Sequence, residues 1–146
     1  SLPGRPNGGR GGVPKAAVEL HRVQRRIGVL RGARQLQVRR ISDGRVLLRA
    51  PVAVGKPGAE TPLGRNYYVD ARFVPENAFF GSYALETSAY SRLSEWPGGG
   101  VVGIHGTDRP QLIGQAVSHG CIRMLNRDVD RLRQLAPLGT PIDVLP

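Results

Sequence analysis

Cys121 is the only cysteine among the 146 residues, so no disulfide can form within the chain. The framework that staples many small secreted domains is therefore excluded, and folding has to rest on a hydrophobic core. Aromatic residues are scarce at 5%, too few for a surface on which successive nucleic-acid bases stack. No stretch approaches the ~18 apolar residues of a membrane-spanning helix. Nor does the start show the charged and then apolar regions of an export signal. Acidic residues are also few, and 11 Asp and Glu against 21 Lys and Arg leave a net charge of +10. That excess favours an anionic partner, but it is spread along the chain without a dense run. Nucleic acid and an anionic cell envelope are the candidates, and the spread of the charge with so few aromatics weighs against nucleic acid.

Glycine and proline, by contrast, are plentiful, with 20 and 12 positions. They punctuate the chain into turns and short strands rather than long helices. The length suits one domain with one core. Residues 1–24, with Gly8-Gly9 and Gly11-Gly12, read as a linker or the remnant of a preceding domain, and residues 25–146 as the folded unit. Between Val18 and Leu30 the apolar spacing fits either a helical face or a strand. Gly28 and the β-branched residues favour a strand from about Arg25. Leu36, Val38 and Arg40 alternate, Ser42-Asp43-Gly44 interrupts, and Val46 to Val54 alternate again, which predicts a hairpin. Another strand is predicted from Tyr67, and Val101 to Ile104 reads as a buried strand ending on His105. Pro97-Gly98-Gly99-Gly100 reads as a loop. One helix is predicted, capped by Asn126, with Asp128 and Asp130 in its first turn and Val129, Leu132 and Leu135 on one face. Pro137 and Gly139 end it, and Ile142 to Leu145 form a closing strand. The expected fold is mainly β, a sandwich-like or curled mixed sheet with one substantial helix near the C-terminus.

The chain has three histidines, and two of them lie within sixteen positions of the lone cysteine. His105 follows the Val101–Ile104 run, and His119 stands in Ser118-His119-Gly120-Cys121. A thiol is only a few per cent ionised at neutral pH, and the thiolate is the nucleophile. An adjacent imidazole can take the proton and later return it to a leaving amine. The glycine beside Cys121 lets the backbone turn tightly enough to aim N–H groups at a reacting carbonyl. Together these features suit acyl transfer at an exposed turn. Blander readings compete with this one. A lone Cys can be a small buried hydrophobe, His119 can be a structural histidine, and His21, isolated in a basic segment, is read as structural or solvated. His105, His119 and Cys121 could also ligate zinc, although a His-x-Cys pair on one turn is not a usual zinc spacing.

The run Ile104-His105-Gly106-Thr107-Asp108-Arg109-Pro110, then Ile113-Gly114, then Ser118-His119-Gly120-Cys121-Ile122-Arg123-Met124 closely resembles the signature of L,D-transpeptidase catalytic domains of the YkuD type. Upstream, Gly55-Lys56-Pro57, Thr61-Pro62-Leu63-Gly64 and Tyr83-Ala84-Leu85 follow that family's order, and the resemblance runs from about Arg26 to Pro146. It implies a cell-wall enzyme acting on peptidoglycan stem peptides, outside the cytoplasmic membrane, with carbapenems as probes and without metal or other cofactor. Cys121 would be the nucleophile and His105 the base and acid, with Gly106 orienting His105 through its carbonyl. His119, Gly120 and Cys121 would rim the oxyanion hole. Ser118 and Arg123 would support the loop, Arg123 near a substrate carboxylate. Asp108 is read as a turn residue rather than a triad acid. The implied product is a 3→3 cross-link between stems. An L,D-carboxypeptidase that passes the acyl group to water, or a peptidoglycan-binding module without turnover, is the alternative.

Overall fold

A computed structural model describes residues 12–17, 22–91, 93 and 100–146. Most of the expected linker, His21 and residues 97–99 of the expected glycine-rich loop lie outside the described residues. Among the described residues, nine strands and one α-helix follow in chain order. They are β1 (Arg25–Leu30), β2 (Gln35–Arg40), β3 (Val46–Gly55), β4 (Gly64–Phe73), β5 (Ala84–Tyr90), β6 (Val101–His105), β7 (Ala116–Ser118), β8 (Ile122–Met124), α1 (Asn126–Leu135) and β9 (Pro141–Leu145). Short 3₁₀ turns occupy Lys15–Ala17, Ala78–Phe80 and Pro110–Leu112.

The hairpin predicted around Asp43-Gly44 is the β2–β3 connection. Gly44 adopts φ +70°, and Asp43 accepts hydrogen bonds from the Arg45 N–H and Arg40 Nη1, each at 3.0 Å. Two long strands then divide their partners. β3 pairs with β2 up to Pro51 and with β8 from Val52. β4 pairs with β9 up to Tyr68 and with β5 from Val69. Because each crosses from one layer to the other, pairing runs β2-β1-β9-β4-β5-β6-β8-β3 and returns from β3 to β2. Eight strands thus form a closed circuit, which removes exposed edges, while β7 adds to β3 as a short extra strand. The expected sandwich-like, mainly β fold is what forms, with its two layers continuous through β3 and β4.

Strand alternation sorts the side chains. Ile27, Val29, Leu36, Val38, Leu48, Val52, Leu85, Ile104, Ile122, Met124, Ile142 and Val144 point into one core between the layers. α1 packs against β3 and β6, burying Val129 and Leu132. Asn126 does not cap this helix. Leu125 occupies the cap position with no side-chain bond, and Asn126 is the first helical residue. Its Oδ1 serves neighbouring loops instead, accepting from the Thr107 N–H at 2.9 Å. Only Asp128 lies in the first turn. Asp130 accepts from Ser82 Oγ at 2.9 Å. No helix among the described residues is long and apolar enough to cross a membrane.

Leu132 is fully buried at the helix–sheet contact, so Leu132→Ala leaves a cavity as well as losing transfer energy. Urea unfolding is expected to show a loss of about 2–5 kcal/mol.

Candidate active site

β6 and β8 run parallel, with Ile104 opposite Ile122 and His105 opposite Arg123. The two isoleucines face the main core. The alternate positions, His105, Arg123 and Cys121 before β8, therefore share the other face of the layer. β5 borders that face, with Ala84 opposite His105. Cys121 and Ala84 form a small apolar cluster with Phe80 and Val101 packed against it. The Phe80 ring stands edge-on to the His105 imidazole, with centroids 5.0 Å apart, so thiol and imidazole share the same neighbour.

His105 is 1% exposed. Its Nδ1 lies 2.6 Å from the Gly106 carbonyl oxygen. A carbonyl can only accept, so Nδ1 carries the proton and Nε2 is left as the basic nitrogen. Burial lowers its pKa from 6.5 to about 4. The nearby charge of Arg123 acts in the same direction, and the backbone of Gly106 and Phe80 acts against it. The ring is therefore neutral at pH 7.

Cys121 is 5% exposed, and its Sγ accepts from the Gly103 N–H at 3.4 Å. The exposed turn expected around the thiol is drawn inward by its own hydrogen bonds. Ser118 Oγ donates to the Cys121 carbonyl at 2.6 Å and accepts from the Gly120 N–H at 3.2 Å. The Gly120 carbonyl accepts from Thr61 Oγ1 at 2.9 Å, and that hydroxyl also accepts from the Gly55 N–H at 3.0 Å. Gly120 holds φ +115°, a conformation that side-chain-bearing residues rarely adopt. Its N–H is engaged within the loop, which leaves the Ser118 bond to break before it could serve an oxyanion.

An open groove of about 580 Å³ is lined by Asn77, Phe79, Phe80, Arg109, Leu112, Val117, His119 and Arg123. His119 and Arg123 flank the Cys121 turn in sequence, and Phe79 and Phe80 pack on His105, so Cys121 and His105 lie just behind the groove wall. Arg123 is buried, with its guanidinium 4.7 Å from the centre of the Phe79 ring. Asp108 is exposed in the loop after Thr107, as a turn residue is. Among the described residues no three His, Cys, Asp or Glu side chains stand together as a metal site.

A family model for the YkuD L,D-transpeptidase catalytic domain matches residues 24–144. The chain belongs to this family. It is 39% identical over 102 residues to YkuD of Bacillus subtilis strain 168, whose name assigns it provisionally to the L,D-transpeptidases. That match covers 70% of this chain and 56% of the relative. In fold, the chain is similar to an L,D-transpeptidase from Mycobacterium smegmatis, with a TM-score of 0.65 and 22% identity over 84% of this chain and 59% of that one. It is likewise similar to the L,D-transpeptidase LdtMt1, solved in complex with imipenem, with a TM-score of 0.63 and 22% identity over 84% and 59% of the two chains. The chain thus spans a little over half the length of these relatives.

Within the L,D-transpeptidase domain, three contributors to the site escaped the sequence reading. Phe79 and Phe80 looked like one more apolar run. Thr61 looked like a turn residue, yet its hydroxyl is fully buried under the cysteine loop. Only its place in the family's Thr-Pro-Leu-Gly order hinted at more.

The buried neutral His105 makes a signed prediction. Its folded pKa of about 4 lies below the 6.5 of an unperturbed imidazole. Between those values the unfolded chain binds a proton that the folded chain refuses. The contribution is thus fully present above about pH 6.5 and is lost as pH falls toward about 4, by about 3 kcal/mol. Urea midpoints for wild type should fall across that window, and those for His105→Gln should fall less steeply. Equal slopes for the two would remove His105 as the cause.

Proposed function

We propose that this domain is a cysteine L,D-transpeptidase that exchanges an amide bond in peptidoglycan stem peptides. The observation that carries the reading is the placement of Cys121 and His105 on one face of paired strands. His105 Nδ1 is committed to a carbonyl there, and a peptide-sized groove lies alongside. In the first half-reaction Cys121 Sγ attacks the carbonyl of the third stem residue while His105 Nε2 takes the thiol proton. The amide C–N bond breaks, the proton passes to the departing D-alanine amine, and a thioester remains. In the second half-reaction a side-chain amine of a neighbouring stem attacks the thioester. Its proton returns through His105 to the thiolate, and a 3→3 cross-link results.

Several features support these roles. A neutral imidazole at pH 7 is ready to accept a proton without first losing one. The Gly103 N–H on Sγ and the positive Arg123 both favour the developing negative charge. Arg109 and Arg123 give the groove a cationic lining suited to a stem carboxylate. Mature stems lie outside the cytoplasmic membrane, so the domain would work there. Its net charge of +10 would hold it near anionic wall polymers.

The test is mass spectrometry of the purified domain with disaccharide-tetrapeptide stems and, separately, with a carbapenem. Loss of D-alanine with new 3→3 dimers, and one covalent adduct on Cys121, are expected. Cys121→Ala should abolish both, and His105→Gln should slow both by about 10²–10⁴-fold. Tripeptide without dimers would make the enzyme a carboxypeptidase. An adduct that persists in Cys121→Ala, or no reaction with either probe, would overturn the assignment.

A further inference from the structure

The group that orients His105 is a carbonyl, and a carbonyl's direction is fixed by the whole peptide unit to which it belongs. The Gly106 C=O and the Thr107 N–H are the two ends of one planar, trans amide. His105 Nδ1 meets one end at 2.6 Å, and Asn126 Oδ1 meets the other at 2.9 Å. We propose that Asn126 is the positioning residue for the His105 base, acting through the Gly106–Thr107 peptide plane.

The surrounding geometry leaves this plane little other support. The Gly106 N–H donates to the Tyr83 carbonyl at 3.0 Å, which fixes the preceding amide but leaves the Gly106–Thr107 plane able to rotate. Asn126 Oδ1 stops that rotation. Space is tight around it, because a Cβ added at Gly106 or at Gly81 would run into Asn126 Oδ1. The same oxygen also receives the Ser82 N–H at 3.4 Å, and Ser82 Oγ donates to Asp130 one turn along α1. The first turn of the helix therefore grips two loops together. One carries the carbonyl that holds the imidazole, and the other leads back through Gly81 to the Phe79 and Phe80 rings that pack on it. A hydrogen bond at the amide N–H also polarises the carbonyl at its far end and makes it a better acceptor. Asn126 thus takes the place that a carboxylate holds in a nucleophile–base–acid triad, with one peptide group interposed.

The catalytic consequence rests on the transpeptidase reading, whereas the orientation of the ring does not, so two measurements separate them. Asn126 is exposed, and Asn126→Leu leaves a good helix former at the start of α1 while removing the acceptor. Asn126→Asp keeps an acceptor oxygen in the same place. In ¹⁵N-histidine NMR spectra, wild type and Asn126→Asp should show His105 as a single Nδ1–H tautomer, and Asn126→Leu a mixture. In acylation by a carbapenem, Asn126→Leu should lose at least about tenfold in rate with a thermal midpoint close to wild type, and Asn126→Asp should recover most of it. An unchanged tautomer and rate in Asn126→Leu would overturn the proposal, as would Asn126→Asp behaving like Asn126→Leu. A wild type that shows the tautomer but takes no carbapenem would sink the transpeptidase reading while the NMR comparison still decides the positioning role.

Discussion

The pairing of β6 with β8 is the constraint on which the site depends. Two short parallel strands put Ile104 and Ile122 into the core and thereby send His105, Cys121 and Arg123 to the opposite face. A slip of one residue would exchange the two sets, turning His105, Cys121 and Arg123 into the apolar core and the two isoleucines toward the groove side. Apolar burial on the core side holds this register, so the placement of His105 and Cys121 follows from the hydrophobic effect. The closed circuit of strands adds to this, since neither β6 nor β8 is at a free edge.

Around that register the loops do the fine adjustment with buried hydroxyls and backbone groups. Thr61 and Ser118, both fully buried, satisfy the amides and carbonyls of a turn that carries no regular structure of its own. Burying such a turn without those partners would be costly. The result is a thiol that is nearly enclosed yet next to an open groove. The imidazole beside it is kept neutral chiefly because water is excluded from it.

Much of this was legible in the sequence, and the parts that were not share a cause. The alternation of β2 and β3, the Asp43-Gly44 turn and the burial of Val102–Ile104 follow from local periodicity and turn chemistry. The clustering of His105 and Cys121 was visible because both residue types are rare in this chain. What stayed hidden depends on contacts far apart in sequence. Nothing local to Thr61 reveals that its hydroxyl reaches the Gly120 carbonyl, fifty-nine positions away. Asn126 has the right residue type and place for a helix cap, and it is the return of the Thr107 and Ser82 loops to its side chain that gives it other partners. The inward draw of the cysteine turn likewise arises from tertiary hydrogen bonds that no spacing encodes.

The use of a main-chain carbonyl at Gly106 to hold His105 carries a consequence for robustness. A carboxylate in that place would take up a proton in acid and release the ring to the other tautomer. An amide oxygen has no such step in mildly acidic solution. Since every residue carries one, a side-chain replacement at position 106 cannot delete it. Such a replacement would still displace it, because a Cβ there runs into Asn126 Oδ1, so the robustness is toward acid alone.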